Sequence, residues 1–127
     1  MKVWQIFPWL WATLMLVLVG LPGYRFPNLP MSLPGLDKLV HAGLFGIWAL
    51  LLRKASFSRF VIALLVVVYS GATELAQAYF FIQRSADPLD HVANCLGGGI
   101  GLWLSIKATM DKPVDRVVRS GNQKSNN

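Results

Sequence analysis

The chain holds one cysteine, Cys95, which leaves no partner for an intramolecular disulfide and no thiolate pair for a cysteine-based metal cage. Charge is scarce as well. Only 14% of the 127 residues are Asp, Glu, Lys or Arg, while 54% are hydrophobic, a balance too apolar for an ordinary soluble domain and far from a disordered chain. Acidic residues number six against twelve basic ones, giving a net charge of +6. The basic residues lie beside apolar runs and in the C-terminal tail, not on a face interleaved with stacking aromatics, so no nucleic-acid partner is expected. The glycines at 97–99 lack a following Gly-Lys-Ser/Thr, which excludes a phosphate-binding P-loop, and there is no His-Glu-x-x-His.

What is present is a series of long apolar runs. Val3 to Leu21 exceeds the roughly 7–15 apolar residues of a signal peptide and no Ala-x-Ala-like site follows it. It reads as an uncleaved membrane span over 1–21, with Pro8 in its first turns, where a missing N–H is best tolerated. Residues 22–36 contain four of the seven prolines and predict an external loop. Three further spans follow within 36–106, at about Leu36–Leu52, Phe60–Ile82 and Leu89–Ile106, separated by the basic turn 53–59 and the polar turn 83–90. Residues 107–127 form a polar, basic tail. The prediction is all-α: a polytopic four-helix transmembrane bundle. Lys2, the cations of the 53–59 turn and those of the tail fall on one side, against Arg25, Lys38 and Arg84 on the other. The positive-inside rule therefore puts both termini in the cytoplasm, in a multi-pass inner-membrane protein, and Trp4, Trp48 and Trp103 fall near the inner ends, where amphipathic rings sit.

Polar residues inside those runs are the candidates for function. Glu74 lies roughly 12 Å inside the outer end of the third span at 1.5 Å per residue, where a charge costs roughly 2.5–3.5 kcal/mol. It needs to be protonated, paired or facing a wet cavity. Gln77 follows at i+3 on the same face, and Arg84 near the interface can reach an acid or a headgroup. Asp37 and His41, with Lys38, open the second span on the same side; Asp90 and Asn94, with His91, open the fourth. Both i, i+4 pairs share a helix face, so three helices bring polar groups to one height. Ala42-x-x-x-Gly46 and Gly97-x-x-x-Gly101 are small-residue pairs that let helix backbones approach. Each candidate has a plainer reading. Asp37 and Asp90 are equally helix caps; Lys38 and Arg84 contact lipid phosphates; His41 and Asn94 form interhelical hydrogen bonds; His91 is interfacial; Cys95 is a packing residue. Glu74 resists such a reading best.

The ordered set Asp37-Lys38-x-x-His41, Glu74-x-x-Gln77, Arg84, Asp90-x-x-x-Asn94-x-x-Gly97-x-x-x-Gly101 resembles the VanZ-like family of small bacterial integral membrane proteins, over roughly residues 36–105. The resemblance implies a multi-pass protein of the cell envelope and, from the family's name, a link to teicoplanin-type glycopeptide resistance. Three functions stay open. The first is a non-enzymatic protein whose outward polar pocket binds a lipid-linked or anionic cell-wall component. The second is a membrane enzyme using Glu74 and His41 as an acid–base pair, with Asp37, His41, Glu74 and His91 as a weaker metal-ligand set. The third is a structural scaffold. The first is preferred, with no metal and no cofactor expected, membrane lipids as partners, and the oligomeric state open.

Overall fold

The computed structural model describes residues 2–20, 35–80 and 87–110. The proline-rich loop, Arg84 and the tail beyond Met110 lie outside these residues. The described chain is all-helical: a single 3-10 turn at Val3–Gln5, then α1 (Phe7–Gly20), α2 (Leu36–Lys54), α3 (Arg59–Tyr79) and α4 (Pro88–Met110).

Helix ends follow local chemistry. Gly35 precedes α2 with φ +90°, a left-handed conformation that an L side chain rarely adopts. The Ser58 hydroxyl accepts from the Val61 N–H at 3.3 Å and starts α3. At α4, Asp87 accepts the Leu89 N–H at 2.9 Å and Pro88 takes the first helical position, where its missing N–H costs nothing. The helix thus starts at Pro88, with Asp87 as its cap. Asp90 sits in the first turn. α3 closes at Tyr79 although the apolar run continues to Ile82, because hydropathy does not encode where backbone bonding stops. α4 continues past Ile106 to Met110: Lys107 lies in the last turn, where a cation complements the helix dipole, and its ammonium is 5.5 Å from the centroid of the Trp103 ring.

Val3–Gly20 and Arg59–Tyr79 are long and apolar enough to cross a membrane. α2 and α4 have the length, at 19 and 23 residues, but carry ionisable and small residues along the faces they turn to one another. These two helices run parallel and make the most extensive contact in the molecule. Its cause is the absence of side chains. A Cβ on Gly97 would overlap the backbone of Ala42, and one on Gly101 would overlap the backbone of Gly46.

α1 is attached differently. Side-chain donors of the other helices reach its main-chain carbonyls: Trp48 Nε1 to Pro8 at 3.0 Å, the Tyr69 hydroxyl to Ala12, and Gln77 Nε2 to Val19 at 3.2 Å, while Trp11 Nε1 of α1 returns one to Leu44 at 3.0 Å. A carbonyl has two lone pairs, so it can accept these beside its helical bond. Met15, Phe45, Trp48, Leu52, Ile62 and Val66 fill the core between. The expectation that Trp48 is an interfacial ring is therefore corrected. It is 1% exposed and packs against Tyr69 at 4.9 Å between centroids, its N–H taken by Pro8. Trp4 and Trp103 are exposed.

Candidate functional site

The site starts from a stripe on α3. Ser70, Thr73, Glu74 and Gln77 stand at i, i+3, i+4 and i+7, and all four are buried. Facing them are Asp90 and Asn94 of α4, also buried, and on α2 the pair Asp37 and His41. The glycine seam just below lets α2 and α4 come close enough for these side chains to meet.

Asn94 is the hub and is 0% exposed. Its Nδ2 donates to Ser70 Oγ at 3.0 Å, which turns Oδ1 toward His41 Nδ1 at 3.1 Å. An amide oxygen only accepts, so this geometry assigns the proton of neutral His41 to Nδ1 and leaves Nε2 as a lone pair. Nε2 faces Asp37 Oδ1 at 3.7 Å, beyond hydrogen-bond reach. Ser70 Oγ in turn meets His91 Nδ1 at 2.8 Å, and His91 Nε2 lies 3.8 Å from Cys95 Sγ. One network therefore joins all three helices.

A second set of contacts lies nearer the helix ends. Lys38 Nζ donates to Asp87 Oδ2 at 3.0 Å and to Asp90 Oδ1 at 3.3 Å, tying α2 to the start of α4. The Asp87 N–H donates to Glu74 Oε2 at 3.0 Å. The Leu89 N–H and the Lys38 ammonium together hold the Asp87 carboxyl below the usual carboxylate range. Glu74 Oε1 and Gln77 Oε1 are buried with no hydrogen-bond partner among the described residues. Beside Glu74, an open groove of about 410 Å³ runs between α3 and α4, lined by Gly71, Glu74, Leu75, Pro88 and His91.

The candidates from the sequence thus separate into groups. His41 and Asn94 are bonded to each other; Lys38 bridges Asp87 and Asp90; Asp37, His41 and Asp90 bring one donor atom each within 4.8 Å of one another. Glu74 and His41, considered as an acid–base pair, share no hydrogen bond, each holding a different partner. The weaker metal set of Asp37, His41, Glu74 and His91 is replaced by Asp37, His41 and Asp90 as the group whose donors converge among the described residues. Arg84 lies outside them. Two participants escaped the sequence reading, Ser70 and Asp87. Ser70 extends the Glu74/Gln77 stripe one turn backward, and Asp87-Pro88 is a cap followed by a first-turn proline, so both had a signal. The site carries four of the chain's six acidic residues, Asp37, Glu74, Asp87 and Asp90.

A family model described as VanZ/LLP1 matches residues 3–109, which takes in all four helices but for the last residue of α4. No curated protein and no solved structure matches the chain.

Proposed function

Because the chain belongs to the VanZ/LLP1 family, we propose that it is a multi-pass protein of the bacterial cytoplasmic membrane that binds a lipid-linked cell-wall component at the outward polar pocket, in the groove between α3 and α4, without transforming it. All four helices cross the bilayer in this reading, both termini are cytoplasmic and the pocket opens to the outside. α2 and α4, at about 28 and 34 Å by 1.5 Å per residue, are long enough. The end of the bundle away from the pocket supports the orientation. Lys54 lies 4.0 Å from the centroid of the Trp4 ring and Lys107 beside Trp103, which is the cation and aromatic content of a cytoplasmic interface.

The observation that carries the reading is the groove. An open, largely apolar groove between α3 and α4 suits an acyl or prenyl chain, and Glu74, whose Oε1 lacks a donor among the described residues, is part of its lining. A ligand with a long tail and a head rich in O–H and N–H groups satisfies both. The head is more readily a sugar or peptide than a bare phosphate, since Lys38 is already bound to Asp87 and Asp90 and carboxylates outnumber it locally. Acid–base catalysis by Glu74 and His41 is disfavoured by their separate partners.

The test is native mass spectrometry of the protein extracted gently from its own membrane. A co-purifying prenyl-linked saccharide is expected, retained in a surface variant and lost when Leu75→Trp fills the groove. Extraction without any lipid-linked saccharide, or equal retention in Leu75→Trp, sinks the proposal. A host lacking the gene should also change its susceptibility to teicoplanin-type antibiotics if the ligand is the lipid-linked precursor they bind.

A further inference from the structure

His41 presents a problem that the groove does not solve. Its side chain is 5% exposed, its Nδ1–H is committed to Asn94, and its Nε2 has no hydrogen-bond partner among the described residues. That lone pair is directed at the carboxylate of Asp37, with the buried carboxylate of Asp90 alongside. Electron pairs from an imidazole and two carboxylates within 4.8 Å make a strongly negative pocket that a positive charge has to complete. Lys38 answers only part of it, because its ammonium is held by Asp90 and Asp87 and forms no ion pair with Asp37 among the described residues. Nε2 and the Asp37 oxygen are 3.7 Å apart, too far for a proton on Nε2 to form a proper hydrogen bond.

A metal ion fits the spacing of Asp37 and His41. Two bonds of about 2.1 Å that span the 3.7 Å between Asp37 Oδ1 and His41 Nε2 subtend an angle of about 120°, within reach of the tetrahedral value after small shifts. We infer that Asp37, His41 and Asp90 form a binding site for one divalent cation of the zinc or manganese class, with Asn94 as the outer group that fixes the His41 ring. Imidazole with two carboxylates is a nitrogen and oxygen donor set that suits those ions. Asn94 plays the part usual for a group behind a metal-bound histidine: it accepts the N–H opposite the metal, setting the tautomer and the ring angle. Three protein donors leave a position for water or for an oxygen of a ligand, and Asp37, 40% exposed, lies on the side from which it would enter. None of the three donors lines the groove of the lipid reading, so the inference goes beyond that reading and stands or falls separately.

The experiment is titration of Zn²⁺ alone, and separately Mn²⁺ alone, into the chelator-stripped full-length chain in phosphatidylcholine nanodiscs, followed by calorimetry. One ion per chain is expected. Asn94→Ala should weaken binding by about tenfold and Asp37→Asn by more, while Cys95→Ser leaves it unchanged. Asp37→Asn is the informative variant, since Asn keeps the size and polarity of the side chain at a partly exposed first turn. X-ray absorption at the zinc edge of the unmutated protein needs no variant and should show an oxygen and nitrogen shell with one imidazole. The inference is overturned by the absence of stoichiometric binding of either ion, by sulfur in the shell, by an affinity indifferent to Asp37→Asn, or by loss of binding in Cys95→Ser.

Discussion

The two ends of this helical bundle handle polar groups in opposite ways. At the end formed by the starts of α2 and α4, polar side chains bond from helix to helix, around a buried centre of His41, Asn94 and Ser70 and a half-exposed margin: His41 to Asn94, Asn94 to Ser70, Ser70 to His91, Lys38 to Asp87 and Asp90. At the other end, Lys54 lies over the exposed Trp4 ring and Lys107 reaches the exposed Trp103, each pair meeting at a surface. Removing Asn94 strands the buried His41 and Ser70 without a partner, whereas a cation of the second set stays at the surface whatever is done to its neighbour.

The most damaging way to break the comparison is Gly97→Val. A Cβ there overlaps the Ala42 backbone, so α4 must move off α2 and the His41–Asn94 bond opens with it. Loss of about 3 kcal/mol or more is expected in unfolding from bilayers, with failure to fold as the extreme. The same substitution is tolerated two residues on, at Gly99, which faces away from α2 and around which a Cβ meets nothing within 4 Å. Next comes Asn94→Ala, which leaves His41 Nδ1 without its acceptor and should cost about 1–2 kcal/mol. Wild-type stability in that variant would mean that the hub is dispensable.

Acidification sharpens the contrast further. Asp87 is held below its unfolded value of about 3.9 by the Leu89 N–H and Lys38, so its contribution is complete above that value and disappears as pH falls through the lower, folded one. Amides at the start of α4 should therefore exchange faster below about pH 4, and Asp87→Asn should remove most of that dependence. The basic end has no such partner to titrate among the described residues. The smallest effect is expected for Lys54→Gln, at about 0.5 kcal/mol or less, detectable mainly as a change in topology or lipid preference.

The helical class and the convergence of α2, α3 and α4 were legible because charges and amides inside apolar runs have few places to go. Asp37/His41 and Asp90/Asn94 show it plainly: an i, i+4 spacing at the start of each run fixes a shared face and a shared height. Ser70 was harder, since a hydroxyl in an apolar helix satisfies itself locally in many proteins, and only the meeting with Asn94 and His91 makes it a junction. Trp48 marks a stricter limit. Its distance from the end of α2 suggested an interface, but which way a ring points depends on the partners of the helix, and those are set by a carbonyl 40 positions away. The direction of Glu74 has the same dependence, because its bonded partner, the Asp87 N–H, belongs to the residue that caps the next helix.

The manner in which α1 is gripped bears on how this chain can vary. Its neighbours hold the peptide itself, through carbonyl oxygens at Pro8, Ala12 and Val19 that any residue would supply. Many letters of that helix are accordingly free to drift while its docking stays the same, which makes the first segment a poor signature of the fold it completes.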